Sequence, residues 1–225
     1  PPVLPAALLL PDMGMLSTSL KLNKDVFGFP IQWIPKNPRW QNYVDIWTQI
    51  PLLTFVKNTV KITVVVTLLQ LFTSSFAAYA FAKMQFKGKN ALFLGYIATI
   101  AVPWQAYMVP QFMMMSSWHL NNTHLAIMCL QAFSAFGVFL MKQFYEGVPT
   151  ELCEAARIDG LSEYGIWWHI MLPLSLPALS TLTIFTFVNT WNDFLGPLIY
   201  LTKTELKTIQ IGLRMFITQY LQSTA

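Results

Sequence analysis

Four long stretches of mostly apolar residues constrain the fold of this chain more than any other feature. Each is long enough to cross the hydrocarbon core of a bilayer as a helix, which takes roughly 20 apolar residues. Pro103 and Pro110 interrupt the second stretch, and proline breaks a helix because it has no backbone N–H. The pattern predicts an all-α, polytopic membrane protein. The four stretches are Val56–Lys83, Ala91–Met115, His124–Phe144 and Leu176–Leu201.

The low charge of the chain points to the same environment. Of its 225 residues, 55% are hydrophobic and 11% are charged, whereas a soluble domain carries about 25% charged residues. Lipid would cover the apolar surface that so few charges leave exposed. The net charge of +4 is small and the lysines are scattered, so nucleic acid is not an expected partner. Two cysteines, Cys129 and Cys153, are too few for a disulfide framework.

The loops between the apolar stretches set the expected organisation. The short basic loop Lys83–Lys89 favours the cytoplasm by the positive-inside rule, and counting spans from it places residues 146–175 in the cytoplasm as well. Residues 1–20 resemble part of another span, so six spans are expected in the full protein, with the terminal ones incomplete here. The expected division is residues 1–52, a partial span and an outside loop with a short surface helix, and residues 53–225, the transmembrane domain.

A charged segment interrupts the apolar pattern between the third and fourth stretches. Residues 151–159 predict a short helix. Gly160 predicts its end, because glycine readily adopts the left-handed conformation found there, and Ser162 can cap a second helix. Such a helix–turn–helix, with small residues and carboxylates at its tip, suits docking onto another protein, although an ordinary surface loop also fits. One predicted helical face consists of Leu152, Ala155, Ala156 and Asp159.

The spacing within this segment resembles the EAA motif of ABC importer permeases. The motif appears as Glu-Ala-Ala at 154–156, Asp-Gly at 159–160 and Ile-x-Leu-Pro at 170–173. The likeness extends over roughly residues 30–220 and is to carbohydrate-importer permeases of the maltose type. Further similar segments begin at Asn58, Phe86, Val148 and Thr190.

The resemblance implies that this segment is a cytoplasmic coupling loop that fits a cleft on an ATPase subunit. Glu154 would pair with a basic residue of the ATPase, and Gly160 would make the turn. The implied partners are an ATPase dimer, a second homologous permease, an extracytoplasmic solute-binding protein and membrane lipid, at a bacterial inner membrane. The expected coupling-loop residues are Glu151, Glu154, Ala155, Ala156, Asp159, Gly160, Ile170, Leu172 and Pro173.

The sequence contains no pattern that predicts catalysis. It lacks the phosphate-binding loop G-x-x-x-x-G-K-[ST], so ATP hydrolysis, with ATP and Mg, is expected on a separate subunit. No Ser-His-Asp or Cys-His arrangement is recognisable, and no catalytic residue is predicted. His119 and His124 have no further ligands nearby, so a metal site is not expected either. We therefore expect neither an enzyme nor a cofactor bound by this chain.

Polar residues inside the apolar stretches are the candidates for a solute pathway, because a polar group within a span is costly and often functional. Amides and aromatic faces suit a sugar, and these positions supply both. The other interpretation is that these residues hydrogen-bond between helices. The candidate pathway residues are Gln105, Tyr107, Gln131, Ser134, Asn189, Trp191 and Asn192.

The predicted function is that of a permease subunit of an ATP-binding-cassette importer. It would form the pathway for a solute, a sugar or oligosaccharide, and would couple to the ATPase through the EAA loop. An ABC permease for another kind of solute is one alternative. A gradient-driven secondary transporter is another, with Asp193 as its plausible intramembrane carboxylate. A non-transporting scaffold or membrane enzyme is the third.

Overall fold

The structure is a computed structural model that describes residues 3–22, 33–35 and 37–223. Within these ranges every regular element is helical, as the sequence predicts. The chain divides into two compact units, residues 1–53 and residues 54–225.

In the described part of the first unit the chain forms α1 (Val3–Ser19) and α2 (Gln41–Gln49). The Asn42 amide donates hydrogen bonds to the carbonyls of Ser19 and Lys21, at 3.0 and 3.1 Å. These bonds satisfy carbonyls at the end of α1 that have no partner within the helix. The short helix that the sequence predicts within residues 1–52 is thus present as α2.

The second unit begins within a long helix, α3 (Leu52–Lys83), that continues through the whole first apolar stretch. Among the residues that the structure describes, two segments could cross a membrane by length and composition alone, α3 and residues 124–146. A third span is possible if a pair of helices joined at a sharp bend is counted as one. The remaining helices of this unit are α4 (Lys89–Ala98), α5 (Met108–Ser117), α6 (His124–Gln131), α7 (Ala135–Glu146), α8 (Thr150–Ile158), α9 (Glu163–Leu174), α10 (Leu176–Trp191), α11 (Leu195–Tyr200) and α12 (Ile209–Ser223).

The second apolar stretch is broken near Pro103, as the sequence predicts, whereas the expected break at Pro110 does not occur. Helix α4 ends at Ala98, and two short 3₁₀ turns separate it from α5. Val102 between the turns is extended, with φ −88° and ψ 113°, because Pro103 disfavours the helical conformation in the residue before it. Pro110 lies in the first turn of α5, where its missing N–H costs nothing.

Two further apolar stretches are also broken. Residues 132–134 separate α6 from α7, and the Ser134 hydroxyl caps α7 by accepting a hydrogen bond from the Gly137 N–H at 3.0 Å. The fourth stretch, predicted as one span, divides into α10 and α11 at residues 192–194. Helices α9 and α10 meet at Ser175 with a bend of 79°.

Among the described residues, the core of the second unit forms two clusters. One packs α3 and α7 against the charged segment and includes the fully buried Met141, Tyr145, Ile166 and Met171. The other joins α3 to α6 and α11 around Val66, Ile127 and Tyr200. In the first cluster Gly137 lies directly against the side chain of Ser74. The absence of a side chain at Gly137 therefore lets α3 and α7 approach closely.

Candidate functional site

The charged segment folds as the predicted helix–turn–helix. Helix α8 ends at Ile158, and Gly160 has φ +85°, in the left-handed region that the sequence predicts. The Leu161 N–H donates back to the Ala156 carbonyl at 3.0 Å, which closes the end of the helix. The Ser162 hydroxyl accepts a hydrogen bond from the Gly165 N–H at 3.2 Å and caps α9. We call residues 148–163 the loop segment.

The outward surface of the loop segment carries most of the predicted docking residues. Glu151, Glu154, Ala155 and Asp159 are exposed in the structure. Glu154 forms no ion pair with any residue that the structure describes. This surface therefore combines unpaired negative charge with a small side chain that permits close approach.

Four predicted docking residues lie elsewhere or have another environment. Ala156 is buried with Cys153 in the core cluster, whereas Leu152, Ala155 and Asp159 are exposed, so the predicted helical face is corrected. The Cys153–Ala156 edge of α8 faces the core because it meets apolar partners there, with the Cys153 sulfur 3.8 Å from the Met171 sulfur. Ile170 and Leu172 pack against the same cluster. Pro173 is exposed within the last turn of α9.

An ion pair links α8 to the first residue of α9. The Arg157 guanidinium donates from Nε to Glu163 Oε1 at 2.7 Å and from its terminal nitrogen to Oε2 at 3.2 Å. The Tyr79 hydroxyl of α3 also donates to Glu163 Oε2, at 2.5 Å. These donors, Arg157 first, stabilise the carboxylate and lower the pKa of Glu163 below its usual value. Glu163, at the start of α9, therefore accepts hydrogen bonds from both α8 and α3.

The second polar site lies where the third and fourth apolar stretches are interrupted, at the ends of α6 and α10. The Gln131 side chain donates from Nε2 to Asp193 Oδ2 at 2.7 Å, and its Oε1 accepts from the Thr190 hydroxyl at 3.3 Å. The Gly196 N–H donates to the other Asp193 oxygen at 3.2 Å. One amide and one carboxylate thus connect the two helix breaks.

Helix α3 completes this network. The Gln70 amide donates to the backbone carbonyl of Gln131 at 2.7 Å and accepts from the Thr186 hydroxyl at 2.9 Å. The Thr73 hydroxyl donates to the Ala132 carbonyl at 2.8 Å. Carbonyls freed at the end of α6 therefore find partners within the protein, as a break inside a membrane requires.

Two cavities flank the Gln131–Asp193 pair. The first has a volume of about 310 Å³, and Trp104, Tyr107 and Gln111 line it. Tyr200 also lines this cavity; its side chain is 2% exposed, and its hydroxyl has no hydrogen-bond partner among the described residues. The second cavity, of about 340 Å³, is lined by Gln70, Ser134, Phe136, Leu182, Phe185, Thr186, Asn189 and Thr190 together with the pair.

The predicted pathway residues divide between these cavities and other environments. Tyr107 lines the first, Ser134 and Asn189 line the second, and Gln131 lines both. The other three line neither cavity: Gln105 is exposed, the Trp191 ring stacks on Phe187, and the Asn192 amide donates to the Val188 carbonyl at 2.9 Å.

Several cavity residues are absent from the sequence-based set. The Trp104 indole N–H donates a hydrogen bond to the Gln111 side-chain oxygen at 2.8 Å. Its position directly after the helix-breaking Pro103 is the feature of the sequence that could have identified it as a cavity residue. Gln70 could have been selected as an amide within an apolar stretch. The sequence offers no local signal for Tyr200, because an aromatic residue near the end of a span is usual in membrane proteins.

Comparison with known proteins places the chain in a family. Residues 70–224 match the family described as "Binding-protein-dependent transport system inner membrane component". The chain belongs to this family. Its resemblance to importer permeases, drawn from the EAA spacing, is thereby confirmed at the level of the family, and the chain is a membrane permease.

The permease has similar relatives. It is 37% identical over 205 residues to the arabinooligosaccharides transport system permease protein AraQ of Halalkalibacterium halodurans, covering 91% of this chain and 72% of that one. It is 34% identical over 181 residues to the lactose transport system permease protein LacG of Rhizobium radiobacter, covering 80% of this chain and 66% of that one.

A solved structure has the same fold. A chain from the crystal structure of a bacterial ABC transporter involved in import of the acidic polysaccharide alginate superposes with a TM-score of 0.86 at 25% identity. The match covers 95% of the permease and 75% of that chain. The prediction of a helical importer-permease fold is therefore confirmed.

Proposed function

We propose that this permease forms the translocation pathway for a sugar or oligosaccharide in an ATP-binding-cassette importer. The observation that carries the proposal is the pair of cavities at the Gln131–Asp193 link. Their lining combines aromatic faces from Trp104 and Tyr107 with amide, hydroxyl and carboxylate groups. Sugars present both apolar ring faces and hydroxyl groups, so this lining matches their chemistry. The similarity to arabinooligosaccharide and lactose permeases supports the same substrate class.

The proposal assigns the energy source to other subunits. A separate ATPase dimer would bind ATP and Mg and dock on the loop segment, which would then lie in the cytoplasm. A solute-binding protein would deliver the sugar from the other side of the inner membrane, and a second homologous permease would complete the pathway. The exposed carboxylates of Glu151, Glu154 and Asp159 support the docking role, because they would complement basic residues on the ATPase.

The test is uptake by the complete importer reconstituted in proteoliposomes, with labelled arabinooligosaccharides and lactose as probes. The expected result is accumulation that requires ATP and persists when a protonophore collapses the ion gradient. Uptake that depends on the gradient and not on ATP would reject the proposal in favour of a secondary transporter.

A substitution at Tyr200 tests whether the solute pathway includes the first cavity. The Tyr200 hydroxyl has no partner among the described residues, so Tyr200→Phe removes nothing that the fold uses. It is expected to raise the KM for sugar uptake while leaving assembly unchanged. Tyr96→Phe is the matched control, since Tyr96 packs against the core cluster away from both cavities. An unchanged KM in Tyr200→Phe would exclude this hydroxyl from the pathway.

A further inference from the structure

Two buried polar residues of α3 face the loop segment from the same side of the helix. Tyr79 and Lys83 are four residues apart, so they lie one above the other on a helix surface. Their exposures are 2% and 8%. A lysine this buried is unusual unless its ammonium group is hydrogen-bonded, so its partners identify its role.

These two residues hold opposite ends of the loop segment. The Lys83 ammonium donates to the Val148 carbonyl at 2.5 Å and approaches the Thr150 hydroxyl at 3.5 Å, both at the start of α8. The Tyr79 hydroxyl donates to Glu163, the first residue of α9. The whole of α8 and its glycine turn lie between these two attachment points.

Further contacts make the attachment at Glu163 rigid. Arg157 binds the same carboxylate from within α8. The rings of Phe72 and Phe76 in α3 meet Trp167 edge-to-face, with centroids 5.5 and 5.3 Å apart. The Phe76 ring also stacks on Tyr164 at 5.7 Å. Helix α3 therefore contacts the start of α9 through both polar and aromatic groups.

We propose that Tyr79 and Lys83 are positioning residues that make α3 move as one body with the loop segment. A single attachment would let the loop segment pivot on α3, whereas two attachments on either side of α8 oppose a pivot. A displacement of α8 by the ATPase would then be transmitted along α3 to Gln70, which contacts Gln131 at the cavities. This inference rests on the proposed function, because it assumes that an ATPase docks on α8.

The experiment compares hydrogen-bond deletions in the reconstituted importer. Tyr79→Phe removes one hydroxyl and Lys83→Met removes one ammonium, each with the bulk of the side chain kept. The matched controls are Tyr96→Phe in the same core and Lys61→Met, an exposed lysine of the same helix. Lys83→Arg keeps a cationic donor. Three quantities are measured: assembly with the ATPase, ATP hydrolysis and sugar molecules imported per ATP hydrolysed.

The expected result is uncoupling without disassembly. Both deletions should retain assembly and ATP hydrolysis while sugar imported per ATP falls by about tenfold, the scale of one hydrogen bond to a charged group. The double variant should fall further, Lys83→Arg should recover most of the ratio, and both controls should equal the wild type.

Two results would overturn the inference. One is an unchanged ratio of sugar to ATP in the double variant. The other is a loss of hydrolysis and uptake in proportion to lost assembly, which would indicate that the two residues only stabilise the fold. Failure of the wild-type importer to show ATP-driven uptake would instead reject the proposed function, so the two failures are distinguishable.

Discussion

Gln131 and Asp193 join two broken helices through a hydrogen bond of 2.7 Å from the Gln131 amide to the Asp193 carboxylate. The residues are 62 positions apart in the chain, yet each lies at a helix end whose backbone groups need partners. Both residues also line both cavities. A rearrangement of either helix break would therefore alter the walls of both cavities together.

The first prediction concerns this link. Asp193→Ala removes the acceptor for Gln131 and for the Gly196 N–H, so we expect uptake to fall about tenfold or more, since each unpaired buried donor costs about 1–3 kcal/mol. Thr202→Ala is a control at the exposed loop after α11. ATP-driven uptake in proteoliposomes, normalised to assembled complex, measures the effect. Wild-type uptake in Asp193→Ala would show that the link is dispensable.

The second prediction concerns the docking charge. Glu154→Lys reverses an exposed charge that has no ion-pair partner among the described residues. We expect the dissociation constant for the ATPase to rise by about tenfold or more, because opposed charges would become like charges. Binding of the purified ATPase to the detergent-solubilised permease measures this constant. Glu205→Lys, an exposed glutamate in the 3₁₀ turn before α12, should leave it unchanged; equal effects of the two variants would contradict the assignment.

The third prediction concerns the turn. A side chain at Gly160 has open space but a φ of +85°, so substitution there costs conformational energy alone. Gly160→Val should destabilise the turn by about 1–2 kcal/mol and reduce assembly with the ATPase. Gly95→Ala, also with open space but in a right-handed helix, is the control. Native assembly yield in Gly160→Val would mean that the turn tolerates another conformation.

The fourth prediction concerns the approach of α3 to α7. Gly137→Ala would place a methyl group against the Ser74 hydroxyl, so we expect a loss of about 1–3 kcal/mol from overpacking. Ser74→Ala should be nearly neutral, because this hydroxyl is buried without a hydrogen bond to the described residues. Thermal unfolding in detergent should show the double variant to be more stable than Gly137→Ala. Purely additive losses would contradict direct contact as the cause.

Local structure was predictable where one residue type decides the backbone. The turn at Gly160, the cap at Ser162 and the interruption at Pro103 all occur as the sequence predicts. Whether each span is one continuous helix or two shorter ones was less predictable. Hydropathy is the same for a straight helix and for two short ones, so the break at residues 192–194 has no clear signal in composition.

The sequence by itself determined the membrane environment, the family and the local turns of the loop segment, because hydropathy, motif spacing and backbone preference act over a few neighbouring residues. Only the tertiary structure decided that Ala156 turns inward, that Tyr79 reaches Glu163 across 84 positions, and that Gln70 reaches the Gln131 carbonyl across 61. The physical reason is that a buried polar group takes whichever partner helix packing brings within hydrogen-bonding distance. That choice depends on which helix faces meet, and spacing along the chain does not specify it.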